Sequence, residues 1–319
     1  MAEIGTDILR AKNLLEQGEL VAIPTETVYG LAGNALNPSA VAKIFSVKNR
    51  PQFDPLIVHV PNVNAVYEYV SEIPERAYAL AQRFWPGPLT LLLEKKSIIP
   101  DLVTAGLDTV GIRCPDHPHT QDLLKILSFP LSAPSANPFG YVSPTSPEHV
   151  NEQLGDKIKY ILDGGKCEVG IESTILGIDN GEPVIYRMGG LSVEQIESVI
   201  GKVKIQTHSA SNPRSPGQLE SHYAPRKKVF IGKIEELLLE YPAHHVGLLT
   251  FQNDFNTPNQ YILSPSGSLE EAAQNLFEAL RAFDKMDVDV VFAELVPDHG
   301  LGRAINDRLK RAAATADRR

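Results

Sequence analysis

Residues 19–35 read ELVAIPTETVYGLAGNA, and how that stretch is read decides the fold. The chain leaves an apolar run, Leu20 to Ile23, and at once presents Thr25, Glu26, Thr27 and Tyr29. A short apolar run of this kind fits a buried strand. Connecting loops are usually built from Asn, Asp, Gly and Pro, which supply turn geometry. Two threonines, a glutamate and a tyrosine suit a surface that meets something polar. Upstream, DILRAKNLLEQG puts Ile8, Ala11 and Leu15 on one helical face, and Gly18 suits the stop. The opening MAEIGTDILRAKN reads as an amphipathic helix pattern without the basic and apolar regions of a signal peptide. Downstream, NPSAVAKIFSVK opens with Asn37 as N-cap and Pro38 at the first helical position.

The same alternation continues. LIVHV, LTLLLE, TVGIRC, YILDGG, STILGI and PVIYR read as strands, and PERAYALAQRF as a helix closed by WPGP. SVEQIESVIG is a helix whose Ser192 and Gln195 form a capping box. Helices alternating with strands argue an α/β architecture. With 319 residues the chain exceeds what one hydrophobic core usually serves, so two domains are expected. After residue 228, KVFIG, HHVGLLTF and DVVFAEL read as strands, and SLEEAAQNLFEALRAF and AINDRLKRAAATA as helices. That pattern fits a small doubly wound, Rossmann-like α/β/α domain. Residues 1–201 form the first expected domain, 202–228 a basic Pro- and Ser-rich linker, and 229–319 the second.

Net charge is −9, which argues against a general affinity for nucleic acid. The linker is the exception: six basic residues and one acid give it +5. It is either a solvated tether or a segment that touches an anion. No apolar run approaches the roughly 20 residues that span a membrane. Two cysteines, Cys114 and Cys167, give no disulfide framework, so a reducing, cytoplasmic setting is expected.

Periodicity singles out particular side chains. Val41, Ile44 and Phe45 form the apolar face of the helix after Asn37, and Lys48 is next on that face. It either snorkels to water or reaches a ligand. Arg50 follows, and Pro51 ends the helix, which puts both cations at a rim. Period two aligns Thr109, Gly111 and Arg113 on one face of TVGIRC, and puts His59 on the Ile57 face of LIVHV. The first of these faces is either a solvent face or room for a polar ligand. LSAPSANPFGYVSPTSP adds Ser135, Asn137 and Ser143; GIESTI adds Glu172, Ser173 and Thr174; VIYRMGG puts Arg187 at a strand end. Guanidinium forks match phosphate and carboxylate bidentately. GxxxxGK[ST], GxSxG and HExxH do not occur, and GLGRAI lacks the third small residue of a dinucleotide motif. Cys114, His117 and His119 in CPDHPH read as loop residues rather than a metal set, and His244-His245 as ordinary residues at a strand start.

Seven blocks now stand in order: IPTETVYGLAGNA, KNRPQFDPLIVH, TVGIRCP, APSANPFGYVSPT, GIESTI, VIYRMGG and SPGQLESHYAP. Together they resemble the threonylcarbamoyl-AMP synthase family in its longer, two-domain form, over essentially the whole chain. The resemblance implies a YrdC-like N-terminal domain, a twisted α/β sheet with a concave basic cavity. It implies condensation of L-threonine, bicarbonate and ATP to threonylcarbamoyl-adenylate and pyrophosphate, with magnesium accompanying ATP. A partner enzyme would transfer the threonylcarbamoyl group to a tRNA adenosine next to the anticodon. Thr27, His59, Arg113 and Ser173 fall at threonine-contacting positions. Lys48 and Arg50 fall at the catalytic, phosphate-contacting positions. Arg50, Asp54, Thr109, Ser135, Ser143, Arg187 and Tyr223 fall at nucleotide positions, and no residue falls at a metal position. His59 is either a substrate contact or a general base. Asp54 departs from the Asn often found there, and a carboxylate repels phosphate unless it is protonated, turned away or metal-bound. Glu220 in the linker departs from the bulkier or basic residues common there. The linker would act as a lid over the adenylate. Related domains that make carbamoyl-adenylate belong to chains with acylphosphatase and zinc-finger modules, which this sequence lacks. A module that binds structured RNA through the same cavity is the alternative, and overall acidity argues against it.

Overall fold

Local signals set the helix starts. Asp7, Asn37 and Ser268 each accept backbone N–H groups at an N-cap, and Ser192 with Gln195 closes both halves of a capping box. The computed structural model describes residues 1–207, 215–216, 223–240 and 245–314. Its elements run β1 (Glu3–Gly5), α1 (Ile8–Glu16), β2 (Val21–Ile23), β3 (Gly30–Asn34), α2 (Pro38–Lys48), β4 (Ile57–His59), α3 (Val63–Val66) and α4 (Glu75–Phe84). Next come β5 (Leu89–Glu94), α5 (Asp101–Thr104), β6 (Thr109–Arg113), α6 (Pro118–Ile126), β7 (Leu131–Ser132), α7 (Pro147–Leu154) and β8 (Tyr160–Leu162). They are followed by β9 (Thr174–Asp179), β10 (Glu182–Arg187), α8 (Val193–Ile200) and β11 (Lys204–Ile205). The C-terminal part holds β12 (Lys228–Ile231), α9 (Ile234–Glu240), β13 (Val246–Thr250), β14 (Gln260–Ile262), α10 (Leu269–Phe283), β15 (Val290–Ala293) and α11 (Gly302–Ala313).

Among the described residues, one mixed sheet has the order β1-β8-β2-β3-β7-β4-β6-β5-β9-β10-β11, and a parallel sheet has the order β12-β15-β13-β14. Four corrections to the sequence reading follow. The N-terminal stretch is not helical from its start, because Glu3–Gly5 pairs in parallel with β8. The basic linker does not begin as a tether, because Lys204–Ile205 pairs with β10. The TVGIRC strand is internal, between β4 and β5, so its Thr109 face is no solvent edge. Nor does Gly111 leave open room there: a side chain would meet Thr90 and Ile57 at 3.3 and 3.5 Å. His119 lies in α6, with His117 at its N-cap, so CPDHPH is a helix start and not only a loop. Much of the linker, Glu220 and His244 lie outside the described residues.

The two sheets share a core. Val28, Val142 and Ile171 from the first part pack into one apolar cluster with Tyr223, Phe277 and Leu280. Arg281 of α10 donates to the carbonyls of Ser143 (3.2 Å) and Val142, and to Gln153 Oε1 (3.0 Å). The second sheet is thereby docked against the loops that leave the first. No helix among the described residues is long and apolar enough to cross a membrane.

Candidate active site

Strand ends build the site. β4 and β6 run parallel with His59 opposite Arg113, so imidazole and guanidinium stand side by side at the carboxyl ends of neighbouring strands. Open α/β sheets place ligands at such ends. Between Ile185 and Arg187 the β9–β10 register shifts, and a bulge of that kind re-aims a side chain. Arg187 thereby joins a cavity of about 50 Å³ that is also lined by Arg50, His59, Arg113, Ser135, Glu172, Ser173, Pro216 and Tyr223. That is well below the roughly 300–1,000 Å³ of a small-molecule pocket, so the site is narrow in this structure. A wider hollow, about 640 Å³, lies on the other side of Glu26. Its lining includes Glu26, Asp116, Asp163 and Glu168, the wrong charge for a polyphosphate.

Seven of the expected residues therefore share one wall: Arg50, His59, Arg113, Ser135, Ser173, Arg187 and Tyr223. Five do not. Lys48 is buried, not at a rim, and donates to the backbone carbonyls of Ser135 and Asn137, both at 2.5 Å. Burial lowers its pKa well below the usual lysine value, with Arg50 adding to the fall. An uncharged amine still has two N–H groups for the two carbonyls, so the contact survives deprotonation. Asp54 is buried with its Oδ2 2.9 Å from Arg50 Nη2, although the angle falls short of a hydrogen bond. Its carboxylate is thus turned onto Arg50, and burial raises its pKa. The Thr27 hydroxyl is 2.8 Å from that of Thr25, inside the turn. Ser143 donates to Glu172 Oε1 at 2.6 Å. Thr109 lies at the far end of β6 from Arg113.

Arg50, also buried, donates to the carbonyls of Asp54 (3.2 Å) and Pro55 (2.8 Å). Arg187 donates to the carbonyl and hydroxyl of Ser173, each at 3.0 Å, and makes no ion pair among the described residues. Arg113 meets Glu26 at 2.6 Å, and its Nε is buried with no hydrogen-bond partner among the described residues. Glu26 also accepts the Asp116 N–H at 3.0 Å. Sequence reading missed Glu26 as a site residue, although a carboxylate just after a buried strand was the visible signal. It missed Pro216 as well, which nothing in the sequence marks.

His59 is buried beside Arg113, and burial first, then that cation, pushes its pKa down to about 3. It is therefore neutral at pH 7 and too weak a base to deprotonate an ammonium efficiently, which favours the substrate-contact reading. Stability should show it. The unfolded imidazole titrates near 6.5, so folding stability is intact above that pH. It is lost as pH falls toward 3, by up to about 1.4 kcal/mol per pH unit from His59. His149, lowered by burial to about 4, acts in the same direction. Urea unfolding at pH 7, 6 and 5 is expected to show this slope, and His59→Gln with His149→Gln should flatten it.

Comparison with known proteins decides the family. A family model described as "Telomere recombination" matches residues 13–189, and one described as "Threonylcarbamoyl-AMP synthase, C-terminal domain" matches 191–314. The threonylcarbamoyl-AMP synthase of Pyrococcus abyssi is 42% identical over 95% of this chain and 93% of its own length. The chain belongs to the threonylcarbamoyl-AMP synthase family. The Bacillus subtilis member is likewise 42% identical, over 96% of this chain and 92% of that one. The crystal structure of P. abyssi Sua5 complexed with L-threonine superposes with a TM-score of 0.92. It covers 98% of this chain and 97% of the other at 39% identity. The family's two-part α/β architecture is therefore this chain's architecture.

Proposed function

We propose that the chain condenses L-threonine, bicarbonate and ATP into threonylcarbamoyl-AMP and pyrophosphate. The observation that carries this reading is the convergence of Arg50, Arg113 and Arg187 on one narrow cavity with His59 and Ser173. Such chemistry needs no covalent nucleophile. Threonine's amine, once its ammonium has lost a proton, attacks bicarbonate with loss of water, or carbon dioxide with loss of a second proton, to give a carbamate. A carbamate oxygen attacks the α-phosphorus, and pyrophosphate leaves. The protein's work is positioning and charge stabilisation. The unpartnered Nε of Arg113 suits threonine's carboxylate, with His59 and Ser173 beside it. Arg187, with no ion pair, and Arg50 suit the phosphates. Ser135 and Tyr223 complete the nucleotide wall. Lys48 holds the Ser135–Asn137 turn in this conformation and reaches a phosphate only if those carbonyls release it. Thr27, Asp54, Thr109 and Ser143 act from behind the wall, through the partners they hold.

Magnesium is read as the counter-ion that arrives with ATP. Glu172, which lines the cavity, is engaged by Ser143 and Arg308, so the ion would draw its ligands from the phosphates and water. Pro216 and Tyr223, from beyond residue 201, line the cavity, which supports a lid that keeps water from the carbamate and adenylate. Residues 1–201 are proposed as the catalytic unit. The product would pass to a tRNA-modifying transferase acting next to the anticodon, in the cytoplasm, where the two free, buried cysteines stay reduced. RNA binding through this cavity is not favoured, because its cations face an enclosed space.

Pyrophosphate release tests the reading. With ATP and magnesium, release is expected only when threonine and bicarbonate are both present. Release that needs neither would replace this function with another nucleotide chemistry.

A further inference from the structure

α11 of the C-terminal part sends a guanidinium into the site's outer wall. Arg308 is fully buried. Its Nε donates to Glu172 Oε2 at 3.1 Å and its Nη1 to Asp307 Oδ2 at 3.0 Å. It lies over the Tyr223 ring, 5.1 Å from the centroid, and that ring also stacks on Phe277 with centroids 5.6 Å apart. Glu172 and Tyr223 both line the cavity; Arg308 does not. The residue therefore acts through them.

The pairing pattern shows what it acts on. Among the described residues, the cavity wall holds one carboxylate, Glu172, and one guanidinium with no carboxylate partner, Arg187. The two lie on the same wall, and the hydrogen bonds of Arg187 among the described residues go to the neutral groups of Ser173 and Pro216. Glu172 would be the natural counter-ion of Arg187. Instead, Arg308 takes Glu172 Oε2, and Ser143 takes Oε1. A buried carboxylate that lost Arg308 would be left with a single hydroxyl. It would then move onto the nearest unpaired cation.

We propose that Arg308 is a positioning residue for the nucleotide half of the site: by holding Glu172, it keeps that carboxylate off Arg187 and leaves the Arg187 charge for phosphate. The proposal rests on the synthase reading above. It gives the C-terminal part a direct share in nucleotide affinity, since its docking brings Arg308 to Glu172. Threonine, held by the Arg113 side, is unaffected. Glu172 is then a liability that the second part of the chain neutralises.

Steady-state pyrophosphate release by the full chain tests this. Arg308→Met is expected to raise KM for ATP at least tenfold and to leave KM for threonine within threefold. Adding Glu172→Gln removes the freed carboxylate and is expected to return KM for ATP to within threefold of the parent. A merely structural Arg308 predicts otherwise, with both KM values shifting together and following the melting temperature. An unchanged KM for ATP in Arg308→Met overturns the proposal, as does a double variant that stays as impaired as the single one. Should Arg308→Met fail to fold, Arg308→Lys is measured alone and with Glu172→Gln. It keeps the charge without the fork, and the same rise and recovery are required. Threonine-independent release by the parent protein sinks the synthase reading itself, which separates that failure from this one.

Discussion

Replacing Arg50 with alanine is expected to lower kcat/KM for ATP in threonine-dependent pyrophosphate release by roughly 10²–10³-fold. That corresponds to about 3–4 kcal/mol of lost transition-state stabilisation. The magnitude follows from where the charge sits. Arg50 is buried, lines the cavity, and is fixed by two backbone carbonyls and by Asp54. A fixed cation in a water-poor site needs no reorganisation as charge builds on the leaving pyrophosphate. The same substitution leaves the Asp54 carboxylate buried without its cation, which by itself costs about 3–5 kcal/mol if it stays ionised. Burial already raises the Asp54 pKa, and losing Arg50 raises it further, so any proton the group takes up blunts that cost. The folded pKa then lies above the unfolded one. Destabilisation grows as pH rises through it. Arg50→Ala with Asp54→Asn separates the two effects. Its urea midpoint should return toward that of the parent protein, while its activity stays low. Activity that recovers along with stability would make Arg50 a structural residue only.

The parts of this fold that were legible in the sequence are the ones written locally. Asn37–Pro38 and Ser192–Gln195 specify helix starts with residues three or fewer positions apart. Period two placed His59 with Ile57, and Arg113 with Gly111, because side-chain direction in a strand depends only on neighbours. What was lost is non-local. β1 and β7 are three and two residues long, too short to show a period, and exist because distant strands accept them. Lys48 sits on the face that its spacing gives it. Its ammonium, however, meets carbonyls 87 and 89 positions away, which no periodicity encodes. Ser143 falls at a nucleotide position by resemblance, yet its acceptor Glu172 is 29 residues later and comes close only in the folded chain. Nothing in AINDRLKRAAATA marks Arg308, because its partner Glu172 is 136 residues earlier. Residue types at the site were therefore readable, and the pairings that decide which charges remain available were not.

Those pairings depend on how closely the two parts of the chain dock, and at Gly170 the approach leaves no room for a side chain. Its φ is +78°, and a Cβ there would lie 2.4 Å from Gln274 Cα and 2.6 Å from the Ala273 carbonyl oxygen, both backbone atoms of α10. Backbone cannot rotate aside as a side chain would, so Gly170→Val must either push α10 away or flip the loop. A β-branched residue in the left-handed region adds its own strain, about 1–3 kcal/mol. Close to Gly170, Val28 and Ile171 pack in the same apolar cluster as Phe277 and Leu280. Separating them exposes apolar surface on both sides at about 25 cal/mol per Å². The melting temperature is expected to fall by about 5–10 °C. Hydrogen exchange should rise in α10 and α11 well before the first sheet is affected. Gly170→Ala should do the same to a lesser degree, since the smaller side chain meets the same backbone. Because α11 carries Arg308, undocking also frees Glu172, so KM for ATP should rise while KM for threonine holds. Adding Glu172→Gln should then lower KM for ATP again without restoring the melting temperature. A KM for ATP that stays high in that double variant would mean that docking supports the site through Tyr223 and the cover over the cavity, and not through the carboxylate.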